Sequence, residues 1–311
     1  MTTYNSFSTN NMYQSKIRDQ MARCIVETDL PYPKYRGKVR DRYDCGDSLL
    51  LVTTDRLSAF DRSIASIPFK GQALNRTSAW WFDKTKHIVD NHLLTVPEPN
   101  QMQVKKCQVF PIEVVVRGYM TGTTSTSIWH LYQQGERTFF DTTLPSGLKK
   151  NTPLPHAILT PSTKAEDHDE PLTQQGLSQL DSVTNEQWTF IAESALALFA
   201  FGQQVASQSG LILVDTKYEF GLDEQGNILL VDECHTPDSS RYWLAETYQQ
   251  RLANNQEPDN FDKEMLRLWY REHCDPYHDK VLPEAPQDLV IKLSQRYIEI
   301  FERLTGEVFF K

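Results

Sequence analysis

In the stretch LILVDTKYEFG, residues 211–221, four apolar residues are followed by Asp215, Lys217 and Glu219 at every second position. Same-face neighbours on a strand stand roughly 7 Å apart, so acid, amine and acid project from one surface. The turn-rich link LDEQG and the run NILLVDE predict an antiparallel hairpin. In the returning run Ile228, Leu230 and Asp232 share a face, and the hairpin can bring Asp232 opposite Lys217. Three carboxylates then surround one amine. Crowded carboxylates repel unless a cation joins them, and hard oxygen ligands suit Mg²⁺ carrying a nucleoside triphosphate. The amine can serve a phosphate or a carboxylate as a point charge. A solvated strand laced with surface ion pairs accounts for the same residues. The fully apolar starts of both runs favour charges at the ends of two central strands, where ligand clefts form.

Three further constellations raise the same question. In CHTPDSSRYW, Asp238 or Ser239 can cap a helix over SSRYWLAETYQQRLAN, whose N-terminal amides and first-turn Arg241 would face an anion. In RGKVRDRY, Gly37 permits a tight turn, and Lys38, Arg40 and Arg42 alternate onto one face, as a hairpin over phosphates or a solvated basic strand would have them. In FPIEVVVRGYMTGTTSTS, Arg117 ends an apolar strand, and glycines and hydroxyls before a helix offer a phosphate nest. Neither G-x-x-x-x-G-K-[ST] nor G-x-G-x-x-G occurs, so no P-loop or Rossmann turn is expected. His273, Cys274 and His278 lack a fourth spaced ligand and read as a surface helix end.

The elements that must position these residues follow from periodicity. Up to about Met120 the chain reads as strands, with a hairpin through Cys45, Gly46 and Asp47 and a strand pair in QVKKCQVFPIEVVVRGYM. One helix, TSAWWFDKTKHIVDNHL, interrupts them. Pro145 to Pro171 is a long Pro- and Thr-rich connection, a candidate functional loop. Thr184 and Gln187 have capping-box spacing ahead of a helix closed by Gly210, and DKEMLRLWYRE and QDLVIKLSQRYIEIFERL read as later helices. With 311 residues and 39% hydrophobic composition the chain can bury a sizeable core, about two domains by length. Its net charge of −9 argues against general nucleic-acid binding. The five cysteines, Cys24, Cys45, Cys107, Cys234 and Cys274, include no C-x-x-C pair, and a reducing cytoplasm is the simplest setting. The longest apolar segment, FIAESALALFAFG, is too short to span a membrane, no secretion signal is expected, and no heptad seam fixes an oligomeric state.

The segments KVRD, TDRLSAFD, FPIEVVVRGYMTGT, LTPSTKAEDHDEP, LILVDTKYEFG and VDECHTPDSSRYW occur in this order. From about Tyr35 to Trp243 the chain thereby resembles phosphoribosylaminoimidazole-succinocarboxamide synthases, the SAICAR synthetase family, in its longer form. One departure is Thr123, where the family usually has Ser; the hydroxyl is kept and a methyl added.

The resemblance implies an α+β fold of two lobes: a mostly antiparallel, nucleotide-binding N-terminal lobe over residues 1–115 and a larger α/β lobe over 116–311, with ATP in the cleft between. It implies ATP-dependent condensation of carboxyaminoimidazole ribonucleotide (CAIR) with L-aspartate, with Mg²⁺. By position, Glu219 and Asp232 resemble the Mg²⁺ acids, while Asp215 and Lys217 fall where CAIR and the transferring group are handled. Gly37, Lys38 and Arg40 resemble the loop over the ATP phosphates, and Val109 to Glu113 the adenine-side hinge. Arg117, Thr123, Ser240 and Arg241 resemble contacts to CAIR, and Lys164 is a further substrate-binding candidate. A phosphotransferase acting on another acceptor and an unreactive nucleotide-binding scaffold are the competing readings.

Overall fold

The computed structural model describes residues 6–60, 62–124, 126–164, 170–261 and 263–310, with no side chains for 6–11. Two compact units divide the chain. The first takes Met1–Trp80, Leu93–Lys105 and Phe261–Lys311, and the second Trp81–His92 and Lys106–Asn260.

The first unit opens with helix α1 (Ser6–Gln20) and the strands β1 (Lys34–Arg36), β2 (Arg40–Asp44) and β3 (Ser48–Thr53). The hairpin expected at Cys45–Asp47 forms: Asp44 pairs with Leu49, and Gly46 takes a φ of 87° that favours glycine. A ribbon of β4 (Arg56–Ala59) and β5 (Arg62–Ser66) precedes helix α2 (Lys70–Thr85). This helix starts seven residues' worth of chain before the expected Thr77, because its N-terminus is capped from a distance. The Asp55 carboxylate accepts from the Gly71 amide at 2.9 Å. Strands β6 (Leu93–Thr95) and β7 (Gln101–Lys105) complete a sheet ordered β1-β2-β3-β7-β6. The strand pair expected within QVKKCQVFPIEVVVRGYM is therefore wrong, since β7 pairs with β3. Below the chain's last turns, helices Glu264–His273 and Gln287–Thr305 bring Leu266, Tyr270, Ile291, Ile298 and Phe301 into one core with Ile17, Leu57 and Leu74. Their apolar residues recur at three- and four-residue spacing, which is what a one-sided helix buries.

The second unit continues with β8 (Gln108–Val109), β9 (Ile112–Tyr119), α3 (Ile128–Gln133), a small hairpin of β10 (Thr138–Phe139) and β11 (Thr142–Thr143), then β12 (Pro153–Leu159) and β13 (Ser162–Thr163). Position 115/116 thus lies inside one continuous strand. The connection from Pro145 to Pro171 contains two strands, β12 and β13, that both pair with β9; its residues 165–169 lie outside the described set. After α4 (Gln174–Ser178) comes α5 (Asn185–Gln208), with the complete capping box of Thr184 and Gln187. It ends at Gly210, where φ is 70°.

Strand β14 (Leu211–Leu222) is the axis of this unit, followed by β15 (Ile228–Val231), β16 (Ser240–Leu244) and helix α6 (Ala245–Ala253). All its pairings are antiparallel. On one edge it meets β9 and β8; on the other it meets β16 and then β15. The helix expected over SSRYWLAETYQQRLAN begins only at Ala245. Ser240–Leu244 is strand because the exposed edge of Leu211–Thr216 needs backbone partners, and because strand geometry buries Tyr242 and Trp243. Arg241 therefore stands on a strand and caps no helix. Likewise, Asp215–Glu219 lie midway along a twelve-residue strand, at the joint between β16 and β15, instead of at a strand end.

Candidate active site

The β14–β15 hairpin forms, but its ladder stops with Val231 opposite Glu219. Asp232 leaves the strand with φ at 66°, so it does not sit opposite Lys217 in register, yet its carboxylate still reaches the amine. Lys217 Nζ donates to Glu113 Oε1 at 3.2 Å, to Asp232 Oδ2 at 3.3 Å and to Glu219 Oε1. The other Glu219 oxygen accepts from Lys164 Nζ. Burial disfavours the Lys217 ammonium, but Asp232, Glu219 and Glu113 together lift its pKa well above the ordinary lysine value. Held as an ammonium by these carboxylates, the amine can stabilise negative charge.

Two residues back along the same face, Asp215, Arg117 and Arg241 form a row across three adjacent strands, paired residue to residue. Arg241 Nη1 donates to Asp215 Oδ2 at 2.5 Å, and Arg117 Nη1 stands 3.9 Å from the same oxygen. Arg117 also donates through Nε to Thr160 Oγ1 at 2.8 Å. Burial depresses the Arg117 pKa and the neighbouring Arg241 adds to this, while Asp215 opposes it. Two guanidiniums on one carboxylate leave an excess of positive charge, the arrangement that receives a phosphate or carboxylate. One face of β14 therefore carries an anion-favouring row beside an acid cluster.

The segment joining β15 to β16 is held by its own polar groups. Thr236 Oγ1 donates to Glu233 Oε2 at 2.5 Å and accepts from the Ser239 amide at 3.2 Å. The Ser240 hydroxyl shares a hydrogen bond of 2.8 Å with Thr216. Beneath the segment, His235 is fully buried with φ at 49°. Its Nε2 bonds the Tyr218 hydroxyl, and its carbonyl accepts from Tyr242 at 2.8 Å. Burial drives the imidazole pKa down to about 3, so the ring is neutral. Sequence reasoning passed over His235, and also Glu257, which accepts from Lys150 Nζ at 2.5 Å and Asn151 Nδ2 at 3.0 Å. Burial opposes the Glu257 charge, but Lys150 and Asn151 hold its pKa below the usual range, with Arg241 contributing. No local spacing marks either residue.

Of the other expected residues, Thr123 is exposed before α3, and Val109 is 40% exposed and pairs with Gly221. In the first unit, Gly37 and Lys38 lie in the turn between β1 and β2, and Arg40 opens β2. The Gly37 amide donates to the Arg40 carbonyl at 2.8 Å, and a Cβ at Gly37 would meet that oxygen at 2.7 Å, which excludes other residues. Arg42 stacks over Tyr35 at 4.9 Å. The ring of His273 stacks on Trp269 at 4.4 Å, and His278 bonds Asp275 at 2.9 Å.

Glu219 and Asp232 are neighbouring hard-oxygen donors, both now bonded to Lys217 Nζ, and are the residues that would hold a small divalent cation. Among the described residues no three His, Cys, Asp or Glu side chains gather as a cage. Two carboxylates completed by phosphate oxygens and water is a set that Mg²⁺ takes.

The sequence model of SAICAR synthetase matches residues 33–284. A phosphoribosylaminoimidazole-succinocarboxamide synthase of Legionella pneumophila (strain Lens) is 56% identical over 290 residues, covering 93% of each chain. The chloroplastic enzyme of that name from Arabidopsis thaliana is 54% identical over 296 residues, covering 93% of this chain and 72% of its own. Among solved structures, the SAICAR synthase of Saccharomyces cerevisiae complexed with SAICAR superposes with a TM-score of 0.78 at 34% identity, covering 92% of this chain and 100% of that one. An antiparallel sheet with a row of charges across its strands β9, β14 and β16, and relatives at this identity over nearly the full length, lead to one conclusion: the chain belongs to the SAICAR synthetase family.

Proposed function

We propose a division of labour by which this chain carries out its family's reaction, the ATP-dependent condensation of CAIR with L-aspartate in purine biosynthesis. A carboxylate is a poor acyl donor because its leaving group would be an oxide. In the proposed route a CAIR carboxylate oxygen attacks the γ-phosphorus of ATP, ADP leaves, and an acyl phosphate results. The aspartate amine then attacks the acyl carbon, the C–O bond to phosphate breaks, and inorganic phosphate and a proton depart.

The single observation behind this assignment is the Lys217 ammonium bonded to Glu113, Glu219 and Asp232, two residues from the row of Asp215, Arg117 and Arg241. Lys217 stabilises charge on the transferring phosphoryl group. Asp215 orients Arg117 and Arg241, which with Ser240 and Thr123 hold the phosphate and carboxylate of CAIR. Glu219 and Asp232 hold Mg²⁺, which supplies Lewis-acid neutralisation of phosphate charge when bound. Lys164, paired with Glu219, keeps that carboxylate oriented and takes part in substrate binding. Gly37, Lys38 and Arg40 bind ATP phosphates, and the strand from Val109 to Glu113 takes the adenine side. The ligands are small molecules, and five scattered cysteines without a C-x-x-C pair suit a reducing, cytoplasmic setting.

The test is a substrate-omission assay with mass detection of the succinocarboxamide. ADP release must require CAIR, L-aspartate, ATP and Mg²⁺ together, and Glu219→Gln and Asp232→Asn must each lower turnover by about a hundredfold or more. Full activity in both variants removes the metal assignment. A stable phosphorylated product without amide would identify a phosphotransferase instead.

A further inference from the structure

We propose that Arg56 is the positioning residue that shapes the turn from Gly37 to Arg40 for a nucleoside triphosphate. The proposal rests on the reading of that turn as a phosphate-binding loop, and it concerns the first unit alone.

Arg56, on β4, is 3% exposed, and its guanidinium is spent on the turn and its supports. Nη2 donates to the Gly37 carbonyl at 3.0 Å and to Asp41 Oδ1 at 2.7 Å. Nε donates to the Lys38 carbonyl at 3.3 Å, and Nη1 to the Val26 carbonyl at 2.7 Å. Asp41, fully buried, also accepts from Thr28 Oγ1 at 2.6 Å and pairs with Lys34 at 3.4 Å. Burial pushes its pKa up, but Arg56, Thr28 and Lys34 outweigh this and hold it below the usual carboxylate value. The counter-charge that anchors Arg56 is therefore secure.

The neighbouring Thr54 completes the pattern. Its amide and its hydroxyl both donate to the Val39 carbonyl, at 3.0 and 2.7 Å, while the Arg40 carbonyl accepts from Gly37. Four consecutive carbonyl oxygens, from residue 37 to residue 40, are thus tied to protein donors. A carbonyl oxygen is the negative end of its peptide dipole, and one turned toward a triphosphate would repel it. Committing all four to the protein fixes the turn in a form that offers no negative end to an incoming phosphate, with Lys38 exposed on the same turn. Only a planar fork of donors reaches the Gly37, Lys38 and Val26 carbonyls and Asp41 at once; a lysine donates from a single point.

The experiment compares Arg56→Lys, Thr54→Val and Lys38→Ala, alone and with Lys38→Ala combined with each of the others. Calorimetric binding of a non-hydrolysable ATP analogue is read beside KM for each substrate, kcat and Tm. Arg56→Lys is expected to weaken the analogue about tenfold and Thr54→Val about threefold, with KM for CAIR and aspartate within about twofold of the parent. In the Lys38→Ala background the same changes should weaken it markedly less, because the contact they position is already gone. Parent-like analogue binding in both Arg56→Lys and Thr54→Val, or equal weakening with and without Lys38, overturns the proposal. Parent-like binding in Lys38→Ala instead overturns the phosphate-loop reading on which it stands. If Arg56→Lys is recovered unfolded, Thr54→Val, a near-isosteric change, decides on the same criteria.

Discussion

Gly202 lies inside helix α5, where alanine ordinarily stabilises by about 1 kcal/mol. Here the opposite sign is expected. A Cβ on Gly202 would fall well inside contact distance of His235 Cε1, and 2.8 Å from both His235 Nδ1 and Leu213 Cδ2. His235 and Leu213 are fully buried, and the imidazole is tethered to Tyr218 at its far nitrogen. Overpacking of this kind costs about 1–3 kcal/mol, and the upper end applies because neither neighbour has solvent to retreat into. Subtracting the helix gain leaves a net loss of about 2 kcal/mol, a fall in Tm of about 3 °C for a chain of this size. Gly176→Ala is the internal control: its Cβ would meet Thr173 and Leu172 at 3.4 and 3.5 Å, ordinary contact, and should leave Tm unchanged or higher. Scanning calorimetry of the two variants, with His235→Ala in both backgrounds, reads the coupling directly. Gly202→Ala at or above the parental Tm refutes the reasoning, as would a His235→Ala cost that is the same with and without the added methyl.

Further tests follow from the same geometry. The His235 pKa is depressed in the folded protein, so between about pH 3 and its ordinary value near 6.5 the unfolded chain binds one more proton than the native one. Stability should fall by about 1.4 kcal/mol per pH unit well below that value, and urea titrations at pH 4.5 and 5.5 should show this slope reduced by one proton in His235→Gln. Asp215→Asn leaves Arg117 and Arg241 without their shared carboxylate; activity should drop, and inorganic phosphate should raise the variant's Tm more than the parent's. Lys217→Met leaves Glu113, Glu219 and Asp232 facing one another, so its Tm should respond to millimolar Mg²⁺ more strongly than the parent's. An identical response would remove the cation site.

What could be read from the sequence was local. The capping box at Thr184, the hairpin turns at Gly46 and at LDEQG, and the shared face of Asp215, Lys217 and Glu219 depend on neighbours within a few residues, and each is found. What failed depends on partners far along the chain. Asp55 sets the start of α2 from outside the helix, and the open edge of β14 draws Ser240–Leu244 into a strand where DSSR suggests a helix cap. QVKKC pairs with β3, far upstream. Arg56 and His235 escaped notice for a related reason: each is a polar residue whose burial and bonding partners come from other segments, and no periodicity announces that.

Strands β15 and β16 occupy the same edge of β14, one after the other, and residues 232–238 leave the sheet between them, the Ser239 carbonyl already accepting from the Lys217 amide at 3.0 Å. Each strand is anchored to β14 by its own ladder, so the length of the segment between them is not a term in either register. Residues could be added or removed there without sliding a strand, provided Thr236 and His235 keep their bonds. The face of β14 that carries Asp215, Lys217 and Glu219 is thus held by ladders on either side of the excursion, which is left to set the reach of Asp232 alone.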